Sequence, residues 1–146
     1  MKVFLDANIF FAAAGSPKGG SAFVLDLAKQ KKVQAATVAH ALVEAERNIQ
    51  KKLGKKVLDR HYENLLEAKP SIQNIDNVPM GMATALEKLL VKKDVPILLG
   101  AMISRSDFLV TLDRKDFLDN KKLKDADLSF QMVTPGDFLQ AYLKNV

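Results

Sequence analysis

Phe108-Leu109-Val110-Thr111-Leu112-Asp113 is the stretch that decides the fold, because a mostly apolar run ends there at a carboxylate. A short run of this kind is typical of a strand that is buried on both faces, as in a parallel sheet. Met1-Lys2-Val3-Phe4-Leu5-Asp6 repeats the pattern at the start of the chain. Because ligands bind at the carboxyl ends of parallel strands, Asp6 and Asp113 are expected to emerge at one functional edge.

The rest of the chain alternates between strand and helix patterns. Strands are predicted at residues 2–5, 33–37, 71–75, 108–112 and 129–133. Helices are predicted at residues 7–14, 21–28, 38–53, 55–68, 82–91, 94–104 and 135–143. This order predicts an α/β fold of three layers, α/β/α, around a central and mostly parallel sheet with right-handed crossovers. The length of 146 residues predicts a single domain over residues 1–146.

Composition narrows the class of protein. The chain contains no cysteine, which excludes disulfides and thiolate zinc sites, and its start does not read as a signal peptide. No apolar run approaches the ~20 residues of a membrane span. These features predict a cytoplasmic protein with no membrane association. Both histidines lie on predicted helices without a partner at metal-ligand spacing, His40 as a helix-start residue and His61 as a surface residue.

The formal net charge is +5, and lysines gather in several clusters, among them Lys121, Lys122 and Lys124. A field of this sign attracts a polyanion such as nucleic acid. Lysines also solvate helix ends and loops, and that alternative stays open for each cluster. A basic chain with acids at its predicted site favours a nucleic-acid substrate over a small acidic one.

Two further acids lie near predicted helix starts. Asp94 precedes Pro96 and either caps that helix or joins Asp6 and Asp113 at the sheet edge. Glu44 competes with Glu46, since residues two apart on a helix point to roughly opposite sides. The apolar stripe of this predicted helix consists of Leu42, Ala45, Ile49 and Leu53. This stripe lies nearer to Glu46 than to Glu44, so amphipathicity does not favour Glu44.

Four segments together carry a family resemblance: Val3-Phe4-Leu5-Asp6-Ala7-Asn8-Ile9-Phe10, Leu42-Val43-Glu44-Ala45-Glu46-Arg47-Asn48-Ile49, Asp94-Val95-Pro96-Ile97-Leu98, and Phe108-Leu109-Val110-Thr111-Leu112-Asp113-Arg114-Lys115-Asp116-Phe117. In this order they resemble the motifs of the PIN domain family. That family of small metal-dependent ribonucleases includes the VapC-like toxins of prokaryotic toxin–antitoxin pairs. The segments span nearly the whole chain.

The resemblance implies a site and a reaction. It makes four carboxylates both catalytic and metal-binding: Asp6, Glu44, Asp94 and Asp113. It gives supporting roles to Asn8, which would orient Asp6, to Thr111, which would donate a hydroxyl, and to Asp116, which would act through water. The implied activity is Mg²⁺- or Mn²⁺-dependent hydrolysis of RNA phosphodiesters, with one or two cations. The implied partners are RNA, a protein antitoxin and a second copy of the chain, as a homodimer; a role in RNA processing remains equally open.

Two other classes of function remain as alternatives. A phosphatase or phosphorelay receiver also places an acid after its first strand, but Asn8 stands where a dehalogenase-type phosphatase would need a second acid. A receiver would need a lysine where Asp113 ends its strand. The other alternative is a PIN-like module that binds RNA or protein without cutting. Such modules usually lose one or more of the acids, and here all four positions are filled.

Overall fold

The computed structural model describes residues 1–145 and contains one sheet within them. Its strands are β1 (Lys2–Leu5), β2 (Gln34–Val38), β3 (Ser71–Gln73), β4 (Phe108–Val110) and β5 (Gln131–Val133). They lie in the order β3-β2-β1-β4-β5, and every neighbouring pair is parallel. The predicted α/β class is confirmed, and the sheet is entirely parallel over the described residues.

Helices connect the strands and cover both faces of the sheet. They are α1 (Ala7–Gly15), α2 (Gly20–Lys29), α3 (Ala39–Lys52), α4 (Lys55–Ala68), α5 (Met82–Leu86), α6 (Val95–Ile103), α7 (Lys121–Asp125) and α8 (Pro135–Lys144). Strands β2 and β3 lie on one side of β1, and β4 and β5 lie on the other side. Because crossovers between parallel strands are right-handed as a rule, this reversal is expected to place α1–α4 and α5–α6 on opposite faces of the sheet. None of the helices within residues 1–145 has the length and apolar character that crossing a bilayer requires.

The helices differ from the prediction in one shortened helix and in two short turns that were not predicted. The helix predicted over residues 82–91 ends at Leu86, and the chain continues in turns that keep Leu90 buried beside Leu86. The apolar spacing correctly predicted that these leucines are buried. Turns bury them as well as a regular helix does, so the spacing did not determine the backbone conformation. A π-helical turn (Arg114–Leu118) and α7 were not predicted, because each is a single short turn started by a polar cap, Asp113 or Asn120.

Strand β1 is the centre of the core, with Val3, Phe4 and Leu5 fully buried. Helix α6 packs closely on this part of the sheet at Gly100. A Cβ atom built on Gly100 would lie 2.5 Å from Val38 Cγ1 and 2.7 Å from the Phe4 ring. Because real Cβ atoms do not approach other atoms so closely, glycine is required at this contact.

Gly100→Ala is therefore expected to lower the free energy of unfolding by about 1–3 kcal/mol, the usual effect of overpacking a core. The measurement is urea denaturation monitored by circular dichroism. Gly136→Ala is the matched control, since the nearest atom to its added Cβ would be Thr134 Oγ1 at 3.9 Å. Equal stabilities of the two variants would contradict the close α6–sheet contact.

The prediction that His61 is a surface residue was wrong. Its side chain is buried between α1 and α4, where the ring packs edge-on against Phe10 with 6.2 Å between centroids. Neither ring nitrogen has a hydrogen-bond partner among the described residues, and burial lowers the pKa of His61. The buried face of α4 consists of His61, Asn64 and Ala68. Because two of these residues are polar, the hydropathy pattern of the sequence did not identify this face as buried.

Candidate metal centre

Strand register brings the first acid beside the end of β4. Leu5 pairs with Val110, and the backbone N–H of Asp6 continues the ladder by donating to Val110 O at 3.2 Å. Asp6 and Thr111 therefore emerge side by side at the carboxyl edge of the sheet. The Thr111 hydroxyl donates to Asp6 Oδ2 at 2.7 Å, and both side chains are buried.

Asn8 ties the start of α1 to the loop after β4. Its amide donates to Asp6 Oδ2 at 3.2 Å, and its Oδ1 accepts from the backbone N–H of Leu112 at 3.0 Å. Asp6 Oδ1 accepts from the backbone N–H of Ala7 at 2.7 Å, so Asp6 also caps α1. Asp6 can therefore cap α1 with one carboxylate oxygen and still lie at the site.

Asp113 lies on the same hydrogen-bonded loop. Its backbone N–H donates to Thr111 Oγ1 at 3.0 Å, and its Oδ1 accepts from the backbone N–H of Asp116 at 3.0 Å. Asp113 therefore starts the turn Arg114–Leu118 and holds Asp116 close to itself. A carboxylate oxygen from each of Asp94, Asp113 and Asp116 lies within 4.8 Å of the other two.

Asp94 occupies the position before α6 without serving as its cap. Its side chain accepts no capping hydrogen bond from the helix. Its Oδ2 atom is buried and has no hydrogen-bond partner among the described residues. An ionised carboxylate with an unpartnered buried oxygen is costly unless a cation or a proton compensates it.

Glu44, rather than Glu46, faces the other acids. Glu44 is half-buried at the pocket, whereas Glu46 is exposed and accepts a hydrogen bond from the Tyr62 hydroxyl at 2.8 Å. The buried stripe of α3 consists of Ala41, Ala45 and Ile49. At 100° per residue the two glutamates flank this stripe symmetrically, so amphipathicity alone does not choose between them.

The side chains of all four predicted acids line one open pocket of about 220 Å³ at the carboxyl edge. Its lining consists of Asp6, Ala7, Asn8, Phe11, Glu44, Asn48, Lys52, Lys93, Asp94 and Asp113. Hard carboxylate oxygens around a small open space suit Mg²⁺ or Mn²⁺, which retain water in part of their coordination shell. The donor set and the unpartnered Asp94 oxygen both fit a divalent cation.

Crowding of the acids shifts their protonation. Burial raises the pKa of Asp6 to about 6, assisted by the charges of Glu44 and Asp113 and opposed by hydrogen bonds from Thr111 and Ala7. Burial also raises the pKa of Asp94 to about 7, together with the nearby Asp116 carboxyl and against the charge of Lys93. Part of the site therefore carries protons near neutral pH when no cation is bound.

In EDTA, Asp94→Asn should gain stability relative to the parent protein as pH rises from about 4 to 8. A raised carboxyl pKa means that the native state binds more protons than the unfolded state between about pH 4 and pH 7. Stability from this group is therefore highest at low pH and falls as pH rises. The expected change is on the order of 1 kcal/mol, because the carboxyl faces an open pocket.

The measurement is a urea-denaturation series across this pH range on both proteins. His61 acts in the opposite direction, since a lowered histidine pKa removes stability as pH falls through the range below about 6.5. This contribution is common to both proteins and cancels in their difference. A difference that does not vary with pH would contradict the raised pKa of Asp94.

Five further lining residues were not predicted as site residues, and one of them, Ala7, simply follows Asp6. Asn48 lies one helical turn after Glu44, and that i, i+4 spacing is the signal that could have found it. Lys93 directly precedes Asp94. Phe11 and Lys52 lie together, with the Lys52 ammonium 6.0 Å from the Phe11 ring centroid, and no sequence pattern joins residues so far apart.

Comparison with known proteins gives a family and a fold. The PIN domain family matches residues 2–121. A chain of the crystal structure of VapBC2 from Rickettsia felis, bound to a DNA fragment from their promoter, is similar in fold, with a TM-score of 0.64 and 19% sequence identity. The match covers 91% of this chain and 98% of that one. Curated proteins yield no match.

Proposed function

The chain belongs to the PIN domain family, and we propose that it is a metal-dependent endoribonuclease that hydrolyses RNA phosphodiester bonds. The observation that carries the proposal is the single pocket lined by Asp6, Glu44, Asp94 and Asp113. The chain as a whole is basic, with a formal net charge of +5, and this supports a polyanionic substrate.

In this proposal the four acids hold Mg²⁺ or Mn²⁺, and Asp116 supports them through water. The buried, unpartnered oxygen of Asp94 and the short separation of Asp94, Asp113 and Asp116 support this assignment. A bound cation would neutralise the substrate phosphate, lower the pKa of an attacking water and stabilise the leaving oxygen.

The surrounding residues keep the acids in place. Thr111 directs Asp6 by donating to Oδ2, and Asn8 fixes the same oxygen while joining α1 to the loop after β4. Asp113 is held by its backbone N–H on the Thr111 hydroxyl. Lys93, whose side chain is 71% exposed beside Asp94, provides a positive charge at the pocket that attracts the substrate phosphate.

The biological role that we propose is that of a toxin in a toxin–antitoxin pair. The similarity in fold to a chain of the VapBC2 structure supports this role. Its antitoxin would cover the carboxylate edge and insert a basic side chain among the acids. The proposal includes a single nuclease domain over residues 1–146 and a cytoplasmic location, both expected from the sequence, and a homodimer, which the family resemblance implies. A role in RNA processing is the second candidate within the same activity.

The test is cleavage of a mixed RNA pool by the purified protein in EDTA, in Mg²⁺ and in Mn²⁺. Cleavage is expected only with a divalent cation and is expected to be lost in Asp6→Asn. Asp125→Asn, a substitution of an exposed acid on α7, is the matched control and should cleave like the parent protein.

Measuring RNA binding as well as cleavage distinguishes a nuclease from a non-catalytic binding module. A nuclease should lose cleavage in Asp6→Asn and still bind RNA. A parent protein that binds RNA with no cleavage under any cation would instead identify a non-catalytic binding module. Cleavage that persists in EDTA or in Asp6→Asn would contradict the metal-dependent assignment.

A further inference from the structure

A series of three hollows with shared lining residues leads away from the acid pocket along α3. A second hollow of about 500 Å³ shares Glu44, Lys93 and Asp94 with that pocket. A third hollow of about 410 Å³ shares Ala39 and His40 with the second and extends to the loop after β3. We call this the α3 groove, and its lining beyond the acids includes His40, Val43, Arg47, Ile72, Asn74 and Lys93.

The charge along the α3 groove changes sign away from the acids. Arg47 and His40 follow the acids along the groove, and both side chains are exposed. Within residues 1–145, Arg47 takes part in no ion pair, so its guanidinium can contact an added anion. Asp76 lies at the far end, beyond Arg47 and His40, so the positive charge of this section comes from Arg47 and Lys93. A phosphate backbone that enters the acid pocket would therefore meet positive charge along its next section.

The groove also presents apolar surface between these charges. Val43 is 52% exposed and Ile72 is 57% exposed, and both line the groove. In a duplex the bases are stacked and paired, so such surface has little to contact. The bases of a single strand can turn outward and pack on exposed side chains while the phosphates face the cations. Charge and apolar surface together therefore fit single-stranded RNA.

We propose that the α3 groove binds the single-stranded segment of RNA adjoining the scissile phosphate, with Arg47 and His40 in contact with its phosphates. This inference rests on the proposed function, since it assigns the path of the same substrate. It also makes Arg47 a substrate-binding residue outside the acid pocket. The lysines of α7, one of the clusters whose charge could attract a polyanion, do not line the groove over the described residues.

The experiment measures RNA affinity without cleavage, in Asp6→Asn protein without divalent cations. The probe is a fluorescent single-stranded RNA of about 12 nucleotides, a length within the range that single-strand binding sites cover. Adding Arg47→Ala should weaken binding by about 5- to 10-fold and reduce the slope of log affinity against log salt by about 0.7, the value for one phosphate contact on a single strand. Adding Lys32→Ala, which removes an equal charge near the opposite edge of the sheet, should change neither quantity.

Several outcomes would overturn the proposal. Equal weakening by Arg47→Ala and Lys32→Ala would show that overall charge, and not the groove, determines affinity. Unchanged RNA affinity in Arg47→Ala would show that RNA does not bind in the groove, and a protein partner would become the candidate occupant. A duplex of the same length that binds as tightly as the single strand would contradict the substrate class. If the parent protein still cleaves RNA in any of these cases, the groove assignment fails while the nuclease assignment stands; a parent that neither binds nor cleaves RNA contradicts both.

Discussion

Asp94→Asn should reduce metal-dependent RNA cleavage by about 100-fold or more while leaving the metal-free protein folded. Loss of a residue that only supports a metal ligand typically lowers metal affinity or activity by about 10- to 100-fold, so loss of a ligand should have a larger effect. Stability should not fall, because the buried Oδ2 of Asp94 has no partner to lose among the described residues. An uncharged amide also removes repulsion from Asp116 and Asp6.

Two measurements on the same sample test this expectation. Cleavage is followed with a labelled RNA in Mn²⁺, and stability is followed by urea denaturation in EDTA at pH 7.5. Loss of activity together with unfolding would mean that Asp94 is a structural residue. Full activity in the variant would exclude Asp94 from the metal centre.

Glu44→Gln and Glu46→Gln form a matched pair on one helix. Glu44→Gln should lower cleavage by about 10- to 100-fold, because it removes a charge from the pocket that also contains Asp6 and Asp94. Glu46→Gln should remain within about twofold of the parent protein, since Glu46 is exposed and its contact with the Tyr62 hydroxyl can be kept by an amide oxygen.

The readout is the initial rate of RNA cleavage at several Mn²⁺ concentrations. A metal-binding role for Glu44 predicts that higher Mn²⁺ partly restores the rate of Glu44→Gln. The reverse ranking, with Glu46→Gln the more impaired variant, would contradict the orientation of α3.

Much of the fold could be predicted from short apolar segments. The runs that end at Asp6 and Asp113 predicted β1 and β4, and parallel pairing of Leu5 with Val110 places both carboxylates at one edge. This inference succeeds because buried parallel strands read as continuous apolar runs, and because register follows from pairing. The order of the strands in the sheet depends on long-range packing and was not read from the sequence.

The orientation of individual side chains was harder to predict. Hydropathy could not separate Glu44 from Glu46, because the two glutamates flank the buried stripe of α3 at equal angles. His61 was misplaced for a related reason, since polar residues make up much of the buried face of α4. Lys52 and Phe11 join the pocket through tertiary packing of α1 against α3, and no local pattern contains that information.

The most direct test of the central claim is the anomalous diffraction signal of Mn²⁺ in crystals of the protein. The account predicts a manganese peak within the pocket lined by Asp6, Glu44, Asp94 and Asp113, and no such peak in crystals of Asp94→Asn. A parent crystal with no peak in this pocket, or with manganese bound only elsewhere, would contradict the claim that these carboxylates form a metal centre.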